Sequence, residues 1–427
     1  MKKLASHPLH NQKFRQDILW NIASLTFMGS CGIVLNFVIA RFYNPAALGS
    51  FNQVFAIYIV ASQFSVVGIH LSALKHIAQY QTDCQTYREV LFAALVLAGF
   101  ISGSMAFVLW HSRHVIGNLL ASPDVSWGLQ YASPALFFFS INKVLLFGLL
   151  NGLSHMRAYA VYQALRYISL MGTLIVVAIF KLSGNNLPII LLIAELIVFV
   201  SFIPVFWKEI RIPSLPVLLC WLKIHAGFGF RACISNMLSE LNSRVDVLCL
   251  GFFTNDYLVG IYSLAAVLVE GFYHLPIVLR NIYNPQLVHL SQQPEHELAQ
   301  FITLNRRWIY AAMAFIGVTA IALYPIGMRL VISQQDLKQS WTIFAVLMLG
   351  LIGSSGYIPF SQIFLQAGRP GLHSIMISLL VLANLIGNIL FIPLWGAIGA
   401  AYATSLSFLL LIALLKLFSK AALHITI

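Results

Sequence analysis

Charged residues are scarce in this sequence. Only 9% of its 427 residues are Asp, Glu, Lys or Arg, whereas 59% are hydrophobic and the mean hydropathy is +0.85. A soluble domain usually carries about 25% charged residues. The composition therefore excludes a soluble globular protein and predicts an integral membrane protein.

Several chemical signatures are also missing. No Gly-x-x-x-x-Gly-Lys-Ser/Thr segment occurs, which excludes ATP hydrolysis through a P-loop. The five cysteines contain no Cys-x-x-Cys pair, so no disulfide framework or zinc site is predicted. His111 and His114 have no third ligand nearby, and we expect no metal or other cofactor.

Basic residues outnumber acidic ones, 25 to 13, but they are spread through short loops rather than gathered on one domain, which argues against nucleic-acid binding.

The first apolar stretch lacks a small-residue cleavage site and is predicted to be an uncleaved span. Spans need about 20 apolar residues each. The sequence predicts twelve of them: 18–40, 51–72, 89–110, 131–152, 160–181, 187–207, 228–252, 257–279, 303–324, 341–366, 371–392 and 396–418.

The distribution of lysine and arginine sets the orientation of these spans. With a cytoplasmic N-terminus, sixteen of the 25 cations lie in cytoplasmic segments, five lie outside and four lie within spans. This positive-inside bias predicts a multi-pass membrane protein of twelve spans with both termini in the cytoplasm.

A repeated segment divides the chain into two halves. Phe42-x-Asn44, four residues and Gly49-x-Phe51 recur 211 positions later as Phe253-x-Asn255, four residues and Gly260-x-Tyr262. Internal repeats are common in secondary transporters, and copies of six spans each share their orientation. We therefore predict an all-α fold of twelve transmembrane helices in two six-helix lobes around a central cleft. The predicted parts are a leader (1–17), an N-lobe (18–207), a cytoplasmic linker (208–227), a C-lobe (228–418) and a tail (419–427).

Four motifs spread along the chain carry a resemblance to a known family. They are Ala40-Arg41-Phe42 leading to Leu48-Gly49-Ser50-Phe51, Leu241 to Asp246 with Leu250-Gly251-Phe252, Val259 to Ser263, and Ile392 to Ala401. Together they resemble the polysaccharide-exporter branch of the multidrug/oligosaccharidyl-lipid/polysaccharide (MOP) superfamily. The resemblance implies a MATE-like fold and a transporter rather than an enzyme.

The resemblance further implies a Wzx-type flippase. Such proteins move undecaprenyl-pyrophosphate-linked oligosaccharide repeat units across the inner membrane for O-antigen, a part of lipopolysaccharide, or for other surface polysaccharides. A polysaccharide polymerase and a chain-length regulator would be its partners. A multidrug/cation antiporter of the same superfamily and a peptidoglycan-precursor flippase remain alternatives, although the latter typically has fourteen spans.

Cations within the predicted spans are the main candidates for substrate binding. A charge at bilayer depth is costly and usually faces a cavity or a partner. Lys143, Arg166 and Arg231 are predicted to contact an anionic head group, although Arg166 could instead snorkel to the interface. On the seventh span, Ser235 and Asn242 share a polar face with Arg231 and Asp246, and this face is predicted to line the cleft, with Ser235 and Asn242 as further substrate-binding residues.

Acidic residues in the spans are candidates for other roles. Glu240 and Arg244 have the i,i+4 spacing of a structural ion pair. Glu270, Asp246 and Glu195 are candidates for coupling to a proton or sodium ion, and Glu195 has no other charge near it in its own span. The alternative for these three carboxylates is a structural role beside a cation.

Overall fold

The computed structural model describes residues 29–293 and 295–425, with the side chains of all these residues except 205–208, 232–236, 239 and 295. Every regular element within these ranges is a helix. A helix satisfies its backbone polar groups internally, as a lipid environment requires. The predicted leader, 1–17, lies outside the described residues.

The helices follow one another with short connections. In chain order they are α1 (Gly29–Phe42, from the first described residue), α2 (Pro45–Val66), α3 (Ile69–Gln79), α4 (Cys84–Leu119), α5 (Pro123–Lys143), α6 (Met156–Ile179), α7 (Ile189–Glu209), α8 (Leu215–Asn242), α9 (Val245–Phe253), α10 (Asp256–Leu290), α11 (Glu295–Met328), α12 (Gln334–Ser355), α13 (Ile363–Gln366), α14 (Pro370–Trp395) and α15 (Ala397–Leu423). A π-helical turn, Val144–Leu150, continues α5, and Gly184–Asn186 and Ile358–Phe360 form 3₁₀ turns.

Ten helices of the described part are long and apolar enough to cross a membrane. Two predicted spans need separate comment. The first lies partly outside the described residues, and its described part is α1. The seventh, 228–252, is divided between α8 and α9 by a turn at Ser243 and Arg244. The predicted all-α membrane fold is confirmed, and its helices are consistent with twelve spans. The predicted seventh span is interrupted by a turn, and the predicted second and tenth spans, 51–72 and 341–366, extend beyond the ends of α2 and α12.

The described chain forms two compact units. The first unit contains 29–35, 54–119 and 123–237, and the second contains 36–53, 120–122 and 238–425. The predicted linker, 208–227, is not an open connection, because α8 already begins at Leu215. Similarly, α15 continues to Leu423 and occupies much of the predicted tail. The predicted lobe limits stay a prediction.

The core of the first unit surrounds the π-helical turn. Residues of α3, α4 and α7, among them Ile77, Leu91 and Phe202, are buried against Val144 to Leu150. Beside this core, Val67 and Gly68 separate α2 from α3. Both residues have a positive φ, 40° and 66°, which breaks the helix there. π-Helical turns often occur at functional sites, and this one begins directly after Lys143.

The two copies of the repeated segment meet in the second unit. Asn44 and Asn255 occupy equivalent positions and each accepts a hydrogen bond from the backbone N–H three residues later, at 2.7 and 3.0 Å. A side-chain oxygen in this position satisfies a backbone donor that a helix leaves free at its start. The repeat therefore encodes the start of α2 and the start of α10 in the same way.

Candidate functional site

A buried ion pair joins α6 and α7 in the first unit. Arg166 contacts Glu195 at two points, with Nε 2.8 Å from Oε1 and Nη2 3.1 Å from Oε2. Their side chains are only 13% and 6% exposed. Glu195 has no other charge near it in its own span, and its partner Arg166 comes from the neighbouring helix, as in the alternative of a carboxylate beside a cation. Because of this contact, the side chain of Arg166 points into the first unit and does not extend to the membrane interface.

Asn142 fixes the position of the Glu195 carboxylate from a third helix. Its side-chain amide lies 2.8 Å from Oε2 of Glu195 and 2.8 Å from the backbone carbonyl oxygen of the same residue. Asn142 is fully buried at the end of α5. The carboxylate is thus held by donors from both α5 and α6, and its geometry is well defined.

Two cations lie against the ring of Phe139. The Nζ of Lys143 is 5.4 Å and the Cζ of Arg166 is 5.3 Å from the ring centroid, both within the range of cation–π attraction. Tyr58 packs against the same ring edge to face at 5.7 Å. We call Phe139, Asn142, Lys143, Arg166 and Glu195 the basic cluster.

The charge of the basic cluster suits an anion. Lys143 and Arg166 contribute two positive charges and Glu195 one negative charge, which leaves a net charge of +1. Low polarity around buried groups strengthens the attraction of such a charge for an anionic ligand. The structure thus brings together three residues that the sequence predicts separately: Lys143, Arg166 and Glu195.

The sequence predicts no role for two members of the cluster, Phe139 and Asn142. Asn142 precedes Lys143 directly, and a polar residue beside a cation within a span was the available signal. Phe139 belongs to a run of three phenylalanines, Phe137 to Phe139, and nothing in that run distinguishes the ring that contacts the cations. Its role depends on the packing of α5 against other helices.

The residues of the predicted polar face of the seventh span lie on two different helices. Arg231 lies on α8 and is exposed, and the side chain of Ser235 lies outside the described residues. Asn242 is the last residue of α8 and its side-chain oxygen is 3.4 Å from the side-chain amide of Asn384. Asp246 lies beyond the turn, on α9, so the expectation that it continues the same helical face is wrong.

The predicted ion pair between Glu240 and Arg244 is also wrong. Arg244 Nη2 instead lies 3.7 Å from Oε1 of Glu270, and Glu240 is exposed. The reason is local: the backbone N–H of Arg244 donates to the carbonyl oxygen of Leu241 at 3.0 Å, which ends the helix before the i,i+4 spacing can bring the two charges together. Glu270, a coupling candidate, is therefore the partner of Arg244.

Asp246 is held by short-range contacts within the second unit. It is buried, and it accepts hydrogen bonds from the hydroxyl of Tyr262 and from the backbone N–H of Val247, the latter at 2.9 Å. An acidic residue in the first turn of a helix also interacts favourably with the helix dipole. These contacts give Asp246 a structural role, and its proposed role in ion coupling stays a prediction.

Known structures share this fold at low sequence identity. A lipid II flippase, MurJ, in an inward closed conformation aligns with 94% of this chain and 87% of its own, with a TM-score of 0.73 and 17% identity. An inward-facing multidrug resistance transporter of the MATE family within the MOP superfamily aligns over 94% of both chains, with a TM-score of 0.69 and 12% identity. A mutant of the Vibrio cholerae MATE transporter VcmN aligns over 97% of both chains, with a TM-score of 0.58 and 15% identity. The predicted MATE-like fold is confirmed.

Sequence comparison identifies the family. No curated protein matches this sequence significantly. The model of a family described as polysaccharide biosynthesis protein matches residues 14–271. The structures that share the fold are named as a flippase and transporters, and at 12–17% identity this likeness shows the fold alone. Because the family model spans more than half of the chain, this protein belongs to the polysaccharide biosynthesis protein family.

Proposed function

We propose that this protein is a flippase for undecaprenyl-pyrophosphate-linked oligosaccharide repeat units in the bacterial inner membrane, serving O-antigen or another surface polysaccharide. Family membership supports a role in polysaccharide biosynthesis, and the fold is that of MurJ, which is named a lipid II flippase. The cycle is alternating access without ATP hydrolysis, with both termini in the cytoplasm. A polysaccharide polymerase and a chain-length regulator would act on the translocated product.

The basic cluster is the observation that carries this proposal. A pyrophosphate group concentrates negative charge and must cross about 30 Å of low dielectric. Arginine can bind its oxygens with two parallel hydrogen bonds, and lysine supplies a point charge. Arg166 of α6 and Lys143 at the end of α5 offer both kinds of contact, and both lie within 5.4 Å of the Phe139 ring centroid.

Glu195 gives the cluster a way to release its ligand. Arg166 binds either the Glu195 carboxylate or a substrate phosphate, so the two anions compete for one guanidinium. The internal carboxylate weakens binding of the pyrophosphate and favours its departure on the far side. If a proton or sodium ion drives the cycle, neutralising Glu195 would free Arg166 for substrate, and Glu270 and Asp246 remain the other candidates for this coupling.

The antiporter alternative predicts the opposite electrostatics. A transporter of cationic drugs needs a surplus of acidic groups at its binding site, whereas the basic cluster has a surplus of positive charge. The MATE transporters with the same fold are 12% and 15% identical to this chain, which shows the fold alone. The peptidoglycan-precursor alternative differs in the sugar and peptide rather than in the pyrophosphate, so only a direct comparison of substrates separates it from our proposal.

A reconstituted assay tests the proposed function. The purified protein in liposomes would receive a fluorescent undecaprenyl-pyrophosphate oligosaccharide, and its movement between leaflets would be followed by quenching from outside. We expect translocation by the wild type, a strong loss for Lys143→Ala, and no change for Lys338→Ala, which removes an exposed lysine. Transport of lipid II but not of the oligosaccharide, or proton-driven uptake of a cationic dye, would contradict the proposal.

A further inference from the structure

Two cations from different helices lie against one buried phenol in the second unit. Tyr357, which precedes the 3₁₀ turn after α12, is only 3% exposed. Arg306 of α11 donates a hydrogen bond to its hydroxyl, and the Cζ of Arg306 lies 5.1 Å from the ring centroid. The Nζ of Lys416 of α15 lies 5.5 Å from the same centroid. We call Arg306, Tyr357 and Lys416 the Tyr357 cluster.

The Tyr357 cluster has no acidic partner among the described side chains. The three ion pairs found there are Arg88 with Glu209, Arg166 with Glu195 and Arg244 with Glu270. Arg306 and Lys416 therefore bring two positive charges to one ring with no carboxylate bound to either. Cation–π contacts compensate only part of the repulsion between such charges. An anion that contacts both side chains would remove it.

The surroundings of the cluster indicate where that anion comes from. Leu304 and Trp308 on α11 and Leu417 on α15, each within one helical turn of a cation, are 56%, 79% and 62% exposed. In a membrane protein such large exposed apolar side chains contact lipid, and tryptophan is enriched where acyl chains meet head groups. Arg306 and Lys416 lie near the predicted cytoplasmic ends of their spans. These exposed residues are close to the cations along the helix axes, which places Arg306 and Lys416 at the depth of the head groups.

We propose that the Tyr357 cluster binds the phosphate of an anionic membrane phospholipid. Arg306 is held by its hydrogen bond to Tyr357 and offers its remaining donors to the phosphate oxygens, and the exposed Lys416 adds a second charge from the neighbouring helix. The acyl chains of the lipid cover the exposed apolar surface of α15 beside Lys416, where Leu409 shares the face of this lysine and Leu417 follows it. The site bridges α11 and α15, so the bound lipid stabilises their contact with the segment around Tyr357.

Native mass spectrometry of the purified full-length protein tests this site. The probe is phosphatidylglycerol, with phosphatidylcholine as the zwitterionic comparison and inorganic phosphate as a competitor. We expect Arg306→Gln/Lys416→Gln to weaken binding of the first phosphatidylglycerol by about tenfold or more, because two charge-assisted contacts are lost. The control Arg307→Gln/Lys420→Gln removes two exposed cations at the same helix ends and should change binding less than about twofold.

Other outcomes overturn the proposal. Equal losses in both double variants would mean a diffuse attraction to basic helix ends, and equal binding of phosphatidylcholine would mean no recognition of charge. If millimolar inorganic phosphate displaces the lipid, the cluster is a site for free phosphate. Should the double variant not fold, Lys416→Gln alone is decisive, since the exposed side chain can be removed without leaving a cavity.

Discussion

Gly49 and Gly260, 211 residues apart in the chain, pack against each other's helices at the start of α2 and α10. A β-carbon on Gly49 would overlap the carbonyl oxygen of Asp256 and lie 2.8 Å from the amide nitrogen of Gly260. A β-carbon on Gly260 would overlap the carbonyl oxygen of Pro45 and lie 3.2 Å from the amide nitrogen of Gly49. Pro45 and Asp256 are themselves 211 residues apart, so the contact is symmetric. The repeat in the sequence is therefore an interface between its own two copies.

Replacing either glycine should disrupt this contact. We expect Gly49→Ala and Gly260→Ala each to destabilise the protein by at least about 1–3 kcal/mol, because the backbone atoms they would meet cannot move aside as a flexible side chain can. The measurement is the melting temperature of the purified protein in detergent. Gly172→Ala is the control, since nothing lies within 4 Å of a β-carbon at that exposed helical position.

The control should even gain stability, by up to about 1 kcal/mol, because alanine is the better helix former. The interpretation is wrong if Gly49→Ala and Gly260→Ala melt at the wild-type temperature. Because the contact is symmetric in geometry, Gly49→Ala and Gly260→Ala should also lower the melting temperature by similar amounts.

The buried pair of Arg166 and Glu195 should behave differently from a pair that solvent reaches. Arg166→Met leaves the Glu195 carboxylate without its cation, which typically costs about 3–5 kcal/mol. The half-buried pair of Arg88 and Glu209, 3.0 Å apart with side chains 33% and 22% exposed, is the comparison. Arg88→Met should cost less than Arg166→Met, closer to the value of about 0–1 kcal/mol for a surface salt bridge. Unfolding in detergent, followed for both variants, gives the comparison.

The double variant Arg166→Met/Glu195→Leu sharpens this test. It removes both charges together, so we expect it to be more stable than Arg166→Met alone, although transport should be lost if the cluster binds substrate. Equal stabilities of the single and double variants would show that the Glu195 carboxylate does not depend on Arg166.

The sequence predicted what depends on composition and repetition. Membrane insertion, the all-α fold and the two copies of the Asn44 segment all follow from patterns within single spans or from self-similarity. It did not predict the partner of Glu195, because Arg166 and Asn142 come from other helices and one sequence holds no record of which helices touch. Candidate residues were found one by one, and only packing shows that Lys143 and Arg166 share one ring.

The error at Arg244 has a different cause. The i,i+4 rule assumes a continuous helix, and Glu240 and Arg244 satisfy it only if α8 continues past Asn242. The chain turns there instead, although Leu241 to Asp246 contains no proline or glycine to announce a break. The local sequence therefore favours one continuous helix, whereas the structure has two, α8 and α9.

The contact between Arg244 and Glu270 predicts a result for charge reversal. Arg244→Glu places two carboxylates close together and should lower the amount of protein in the membrane, and adding Glu270→Arg should restore it at least in part. The control is Arg244→Glu/Glu240→Arg, which would restore the pair that i,i+4 spacing suggests. Membrane abundance by immunoblot decides between them. Rescue by Glu240→Arg rather than by Glu270→Arg would mean that Arg244 pairs with Glu240, and it would contradict the contact with Glu270.

Transport in cells should separate the basic cluster from the rest of the positive charge. Lys143→Ala removes a cation beside Phe139 and should strongly reduce the display of surface polysaccharide while protein levels stay normal, because Lys143 is not part of the buried ion pair. Arg231→Ala is expected to impair display as well if its exposed guanidinium on α8 meets the same anionic head group. Arg113→Ala removes a half-buried cation that lies on Trp110 and should leave display unchanged. Polysaccharide stained on gels, with the protein quantified in parallel, provides the readout. Wild-type display by both Lys143→Ala and Arg231→Ala would remove these two residues from the substrate path.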